Sequence, residues 1–181
     1  MTVAIDTDQI TDVLSRPYAQ ELIASRIPAR VAYTALDGTP RVVPVNYHWN
    51  GSAVVMCSAP KSAKVAALRA NPRVAITIDS EPMPPRMLLL RGSASVEIVD
   101  GVPDVFLKAA RRRTPDEYWD AWVGGLPALY SQMAVITVTP DWVKLIDFEN
   151  NAPKAEEDLA REAAPEQMSW VTPIVRRQAQ Q

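Results

Sequence analysis

Apolar positions follow a helical spacing at the start of the chain and an alternating one soon after. Ile10, Val13 and Leu14 form one stripe and Leu22 and Ile23 a second, so residues 7 to 26 predict helix, broken at Pro17 where a backbone N–H is missing. From Ala29 the period becomes two. Val31, Tyr33 and Ala35 alternate up to Asp37-Gly38, a hairpin signal, and the chain returns from Arg41 to Trp49. Asn50-Gly51 marks a second hairpin into the strand Val54 to Cys57, followed by a short helix, Ser62 to Ala70, stopped by Pro72.

Arg73 to Asp79 alternates again, and Glu81-Pro82-Met83-Pro84-Pro85 predicts a rigid connection into a strand from Met87 to Val99. Asp100-Gly101 turns the chain into a helix from Pro103 to Arg112. Thr114-Pro115-Asp116-Glu117 has the form of a capping box and opens a helix carrying Tyr118, Trp119, Trp122 and Val123, which Gly124-Gly125 is expected to end. Met133 to Val138 and Trp142 to Phe148 predict two last strands joined at Thr139-Pro140-Asp141. About seven strands with helices between them predict a mostly antiparallel small barrel. The expected division is a helical segment over 1–28, a barrel domain over 29–149, and an arm over 150–181. That arm is expected to be partly helical, laid over a neighbouring subunit, and frayed at its end.

Composition narrows the chemistry. At 181 residues with 48% hydrophobic content, the chain suits one domain with a substantial core. Nineteen basic and 21 acidic residues give a net charge of −2 with no long Lys/Arg block, which argues against nucleic acid. No apolar run approaches the roughly 20 residues that span a bilayer, and no signal-peptide pattern opens the chain, so a cytoplasmic location and no membrane partner are expected. Cys57 and His48 are each the sole residue of their kind. An internal disulfide is excluded, no metal site is expected, and a Ser-His-Asp triad finds little support. His48 and Cys57 read as structural residues, and no catalytic side chain is assigned. A borrowed cofactor is the simpler source of reactivity.

Two hydroxyls and two cations gather at one helix start: Ser58, Lys61, Ser62 and Lys64. Free amides and the positive end of the helix dipole make such a start suited to phosphate. The plain alternative is that Ser62 caps the helix while both lysines face water. No Gly-x-x-x-x-Gly-Lys-Ser/Thr or Gly-x-Gly-x-x-Gly run is present, which disfavours nucleotide loops of those types.

Arg41 to Asn46, Ser58, Ser62-Ala63-Lys64, Leu68 and Asn71-Pro72 together resemble the flavin-binding split-barrel family of pyridoxamine 5′-phosphate oxidase and its flavin- or deazaflavin-dependent relatives. The resemblance is specific from about Pro28 to Pro72 and weaker to Phe148. It implies a six- to seven-stranded antiparallel split β-barrel with inserted helices. It also implies a homodimer binding FMN or the deazaflavin coenzyme F-420 at the subunit interface. Cofactor contacts carry over to Arg41, Val45, Asn46, Tyr47, Ser58, Ala59, Lys61, Ser62 and Lys64. The activity implied is hydride transfer between coenzyme and a small unsaturated substrate. The alternatives are a non-catalytic flavin, deazaflavin or tetrapyrrole carrier, and an interaction barrel whose site has lapsed.

Three positions depart from the family pattern. Asn46 replaces a lysine, Ala63 an arginine, and Met87 stands about where a glutamine would touch the ring. Each lost charged donor removes a phosphate contact of about 1.5–3 kcal/mol, which Lys61 would partly replace. The Asp37-Gly38-Thr39-Pro40 turn and Pro44-Val45-Asn46-Tyr47 look most like the actinobacterial branch, which favours F-420 slightly over FMN. The Arg-x-His that reads pyridoxal phosphate is missing, so the true oxidase activity is not expected. Arg111, Arg112 and Arg113 read as a solvated helix end, with an electrostatic rim for an anionic coenzyme tail as the alternative.

Overall fold

The computed structural model describes residues 7–80, 84–148 and 153–162. Two helices open it, α1 (Thr7–Ser15) and α2 (Pro17–Ala24), separated where Pro17 was expected to break the run. Then come β1 (Ala29–Thr34), β2 (Pro40–Val45), β3 (His48–Trp49), β4 (Val54–Ser58), α3 (Ala63–Ala70), β5 (Arg73–Asp79) and β6 (Arg86–Asp100). The chain continues through α4 (Asp104–Arg111), α5 (Asp116–Leu129), β7 (Gln132–Asp147) and α6 (Lys154–Glu162).

All seven strands lie in one antiparallel sheet, in the order β2-β1-β5-β6-β7-β4-β3. Strands β2 and β3 stand at opposite edges of that order, yet only Asn46 and Tyr47 separate them in sequence. Three Cα steps reach at most roughly 11 Å, so the two edges must come together. The sheet is curled into a barrel whose seam is crossed by the Asn46-Tyr47 link. This is the split barrel the sequence predicted.

Inward-facing residues of alternating strands fill the barrel. Val31, Ile76, Ile78, Leu88, Leu90, Ile136 and Val138 are each at most 2% exposed, and each such burial contributes about 1.5–3 kcal/mol relative to exposure. Leu22 and Ile23 of α2 and Val65 and Leu68 of α3 join the same core. The apolar stripe of the first helix therefore packs onto the barrel and does not stand apart from it.

Three expectations need correction. The last two strands are one, β7, because Asp141 is an extra residue opposite the Arg91-Gly92 step of β6: Arg91 faces Trp142 while Gly92 faces Pro140. Pro140 sits at this bulge, where the missing N–H does not interrupt the ladder. Gly92 abuts the Thr139 carbonyl, where any Cβ would collide. Helix α5 does not stop at Gly124-Gly125 but runs to Leu129 with Pro127 inside it. Leu126, 3% exposed, anchors that last stretch, against a helix penalty of about 1 kcal/mol per glycine. Thr114 is not the cap of α5 either. Its hydroxyl donates to the Ala110 carbonyl at 3.1 Å, finishing α4, and Pro115 takes the N-cap position.

Of the expected arm, α6 is helical, while its apolar residues Trp170, Val171 and Ile174 lie outside the described residues, as does the expected contact with a neighbour. Glu81, Pro82 and Met83 of the proline-rich connection also lie outside them. No helix among the described residues is long and apolar enough to cross a membrane.

Candidate phosphate cradle at the barrel seam

Strand β4 ends at Ser58, and a tight turn leads to α3. The Ser62 N–H donates to the Ala59 carbonyl at 3.0 Å, and the Val65 N–H donates to the Ser62 carbonyl at 3.0 Å. Ser62 has the extended backbone of an N-cap residue, φ −68° and ψ 144°, but its side chain makes no capping bond. Its hydroxyl instead lies 2.9 Å from that of Ser58. The simple capping role weighed for Ser62 is therefore not what its side chain does. The amides of Ala63 and Lys64 open the helix and meet no acceptor among the described residues.

Lys64 belongs to that first turn and is half-buried, and burial pulls its ammonium below the usual lysine range. No carboxylate pairs with it among the described residues. Lys61, on the preceding turn, is exposed. Two hydroxyls, a desolvated ammonium and two free amides form a donor-rich corner without an acid.

In the β3–β4 ladder His48 lies opposite Val55 and Trp49 opposite Val54, and the Asn46-Tyr47 link leads into it from β2. Val45 is buried opposite Ala29 and Asn46 is exposed. Tyr47 points into the core at 2% exposure, its hydroxyl donating to the Leu22 and Ile23 carbonyls at 3.3 and 3.1 Å. Burial raises its phenol pKa despite the adjacent Arg112 charge. Of this segment, only backbone and the Asn46 side chain are available to a ligand.

Arg41 finds its partners within its own hairpin. It lies on β2 opposite Tyr33, and its guanidinium pairs with Asp37 at 3.0 Å and with the Thr39 hydroxyl, both in its own hairpin. Met87 is half-buried on β6, opposite Asp79 and Ile146. His48 is half-buried, and burial, then Lys108 and Arg112, lower its pKa. Burial pushes the Cys57 thiol up to about 11, which suits an unreactive packing residue. No cluster of three or more His, Cys, Asp or Glu suited to a metal occurs among the described residues.

Sequence reasoning missed the role of Arg112. It donates to the Ile23 carbonyl at 2.5 Å and to that of Ser25, and its guanidinium lies 5.0 Å from the centre of the Tyr47 ring. Together Arg112 and Tyr47 satisfy the open carbonyls at the end of α2, which has no basic residue in its last turn. That lack was the one available signal, and it did not say which distant arginine would answer it. Arg111 turns elsewhere, donating to Asp116 at 2.5 Å with its guanidinium 4.8 Å from the centre of the Trp119 ring. Trp122 stacks on Phe106 at 5.7 Å and meets Trp119 at 5.7 Å, so the helix aromatics form a cluster between α4 and α5.

The solved structures that resemble this fold include an F-420 reductase, 26% identical, covering 69% of this chain and 94% of the other with a TM-score of 0.58. A conserved hypothetical protein from Mycobacterium tuberculosis is 17% identical, with coverages of 80% and 86% and a TM-score of 0.56. A heme storage protein from Vibrio cholerae is 18% identical, with coverages of 72% and 92% and a TM-score of 0.52. At 17% and 18% identity the last two bear on the fold alone. No curated protein matches the sequence. The pyridoxamine 5′-phosphate oxidase family profile matches residues 16–147, from the end of α1 to the last residue of β7. The chain belongs to the pyridoxamine 5′-phosphate oxidase family of flavin-binding split barrels.

Proposed function

We propose that this protein is an oxidoreductase that uses F-420 or FMN to transfer a hydride to or from a small unsaturated organic substrate, working as a homodimer. The observation that carries this reading is the half-buried Lys64 ammonium, which has no acidic partner among the described residues and opens α3 beside the Ser58–Ser62 hydroxyl pair. A desolvated cation without a carboxylate is unfavourable in isolation and suits an incoming anion. The 26% identical F-420 reductase supports the deazaflavin over FMN.

When bound, the coenzyme would supply the hydride chemistry at its ring. Ser58, Ser62, Lys64 and the α3 amides hold its phosphate, Lys61 adds exposed positive charge, and the Val45 to Tyr47 backbone lines the ring. Arg41 joins only if its guanidinium leaves Asp37. The chain's work is orientation and exclusion of water. Val42, 64% exposed beside Arg41 on the β2 edge, is apolar surface that a second subunit would cover.

Titration of apoprotein with each coenzyme tests the reading. Lys64→Ala is expected to weaken binding at least tenfold, about 1.4 kcal/mol; unchanged curves would reject the cradle. The carrier reading gains one observation, that Tyr47 is committed to the core and offers no proton donor to a substrate. Tight coenzyme binding without turnover of any enone or quinone would favour it.

A further inference from the structure

Helix α5 carries more bare apolar surface than its setting explains. Of its fourteen residues only Leu126 is buried, and Tyr118 and Leu129 stand 62% and 74% exposed. Tyr118, Ala121, Trp122, Gly125 and Leu129 recur at helical spacing and so share one face. Trp122 is half-buried and the other four are exposed. A side-chain carbon added at Gly124 or Gly125 would meet nothing within 4 Å, so the middle of the helix is uncovered as well. Gly124, Gly125 and Pro127 are also the poorest helix formers, and a helix of this length is marginal without packing. Such a face suits a covering partner.

We propose that α5 is the docking face for the C-terminal segment of its own chain, residues 168–177, laid antiparallel along the helix. Charge complementarity supports this occupant. Asp116 is bound by Arg111, whereas Glu117 and Asp120, on the acidic side of the same helix, pair with no cation among the described residues. Beyond α6 the apolar block from Met168 to Val175 is followed at once by Arg176-Arg177, and no acidic residue lies between Glu166 and Gln181. The block covers Tyr118, Trp122 and Leu129, and the two arginines meet Glu117 and Asp120. Reach is sufficient: α6 ends at Glu162, and the eight residues from Ala163 to Trp170 span up to roughly 28 Å, beyond the radius of a domain of this size. Tethering keeps the local concentration of the segment high, which favours its own α5 over the neighbouring subunit that composition alone suggested.

Paired cysteines in the full-length chain test this, with Cys57→Ala removing the one native thiol. Leu129→Cys with Val171→Cys is expected to close an intramolecular disulfide in oxidised glutathione about tenfold faster than Leu36→Cys with Val171→Cys. Leu36, 70% exposed between β1 and β2, matches Leu129 in exposure but not in place. Adding Arg176→Glu and Arg177→Glu is expected to slow the Leu129 cross-link about fivefold. Equal rates for the two pairs, or a disulfide joining two chains, would overturn the proposal. Hydrogen exchange reads the same contact without new cysteines. Trp170→Ser is expected to speed exchange of the α5 amides about tenfold while those of α3 keep their rates. Unchanged exchange in α5 would also overturn it. Neither readout depends on coenzyme, so failure here and failure of the coenzyme reading are separate results.

Discussion

The end of α2 and the start of α3 pose the same problem, open backbone groups at a helix terminus, and the chain answers them in opposite ways. At α2, Tyr47 and Arg112 arrive from distant elements and donate to the exposed carbonyls. At α3, the one side chain able to cap, that of Ser62, turns to Ser58 and leaves the first amides open beside Lys64. Satisfied buried polar groups hold a fold together, whereas a donor-rich corner without acceptors is a place for a ligand. The first terminus is therefore expected to respond to mutation in stability and the second in binding.

The sharpest way to break this contrast is Arg112→Ala. Removing the guanidinium leaves the Ser25 carbonyl without its donor and the Ile23 carbonyl with the Tyr47 hydroxyl alone, in a half-buried setting, with an expected loss of about 2 kcal/mol. Urea denaturation would read this as a lower midpoint at unchanged slope. Coenzyme affinity of the folded protein should stay within about twofold. Tyr47→Phe is the milder version. It keeps the packed ring, removes the hydroxyl, and is expected to lower stability by about 1 kcal/mol. An equal fall in FMN affinity at constant stability would place Tyr47 at the ligand and dissolve the distinction.

Lys64→Met tests the other side. Because burial depresses the lysine pKa, the folded chain holds that proton less tightly than the unfolded chain does. The unfavourable contribution is full at neutral pH. It diminishes as pH rises through the depressed pKa towards 10.5, and is gone above it. Lys64→Met is thus expected to raise stability slightly at pH 7, with the difference vanishing towards pH 10.5. A Lys64 variant less stable than the parent at neutral pH would mean that the ammonium has a partner within the fold.

The two termini also differ in how legible they were from sequence. The α3 corner lies within seven consecutive residues, Ser58 to Lys64, so spacing alone collected Ser58, Lys61, Ser62 and Lys64. The α2 clasp joins residues 87 positions apart, Arg112 and Ser25, and no local pattern encodes such a pairing. The same rule separates successes from errors in the fold. Alternation and turn residues placed β1, β4 and β5, because those signals are local, whereas the one strand expected from Arg41 to Trp49 is two, β2 and β3, at opposite edges of the sheet. Pro140 and Gly124-Gly125 were read as ends, yet a bulge opposite Gly92 absorbs the proline and the buried Leu126 carries α5 past the glycines. In both cases tertiary contacts override a local breaker. Resemblance assigns Arg41 to the phosphate, and in the structure the hairpin acid Asp37, four residues away, engages it.

Arg41 offers the finest test because it stands between the two behaviours. Its guanidinium is bound to Asp37 and the Thr39 hydroxyl, while the family pattern assigns it to phosphate. The Thr39 hydrogen bonds, and then Arg41 itself, hold the Asp37 carboxyl below the usual carboxylate range. Asp37 therefore stays ionised, and competes for Arg41, at all but strongly acidic pH. Asp37→Asn removes that competition while preserving the turn's ability to accept from the Thr39 N–H. If Arg41 swings to the phosphate on coenzyme binding, Asp37→Asn tightens that binding by about twofold, and Arg41→Ala cancels the gain. If Arg41 belongs only to its hairpin, neither change moves the dissociation constant. The double-mutant cycle over Asp37 and Arg41, read in coenzyme affinity, separates the two outcomes because it isolates the pairwise coupling from any separate effect of either side chain.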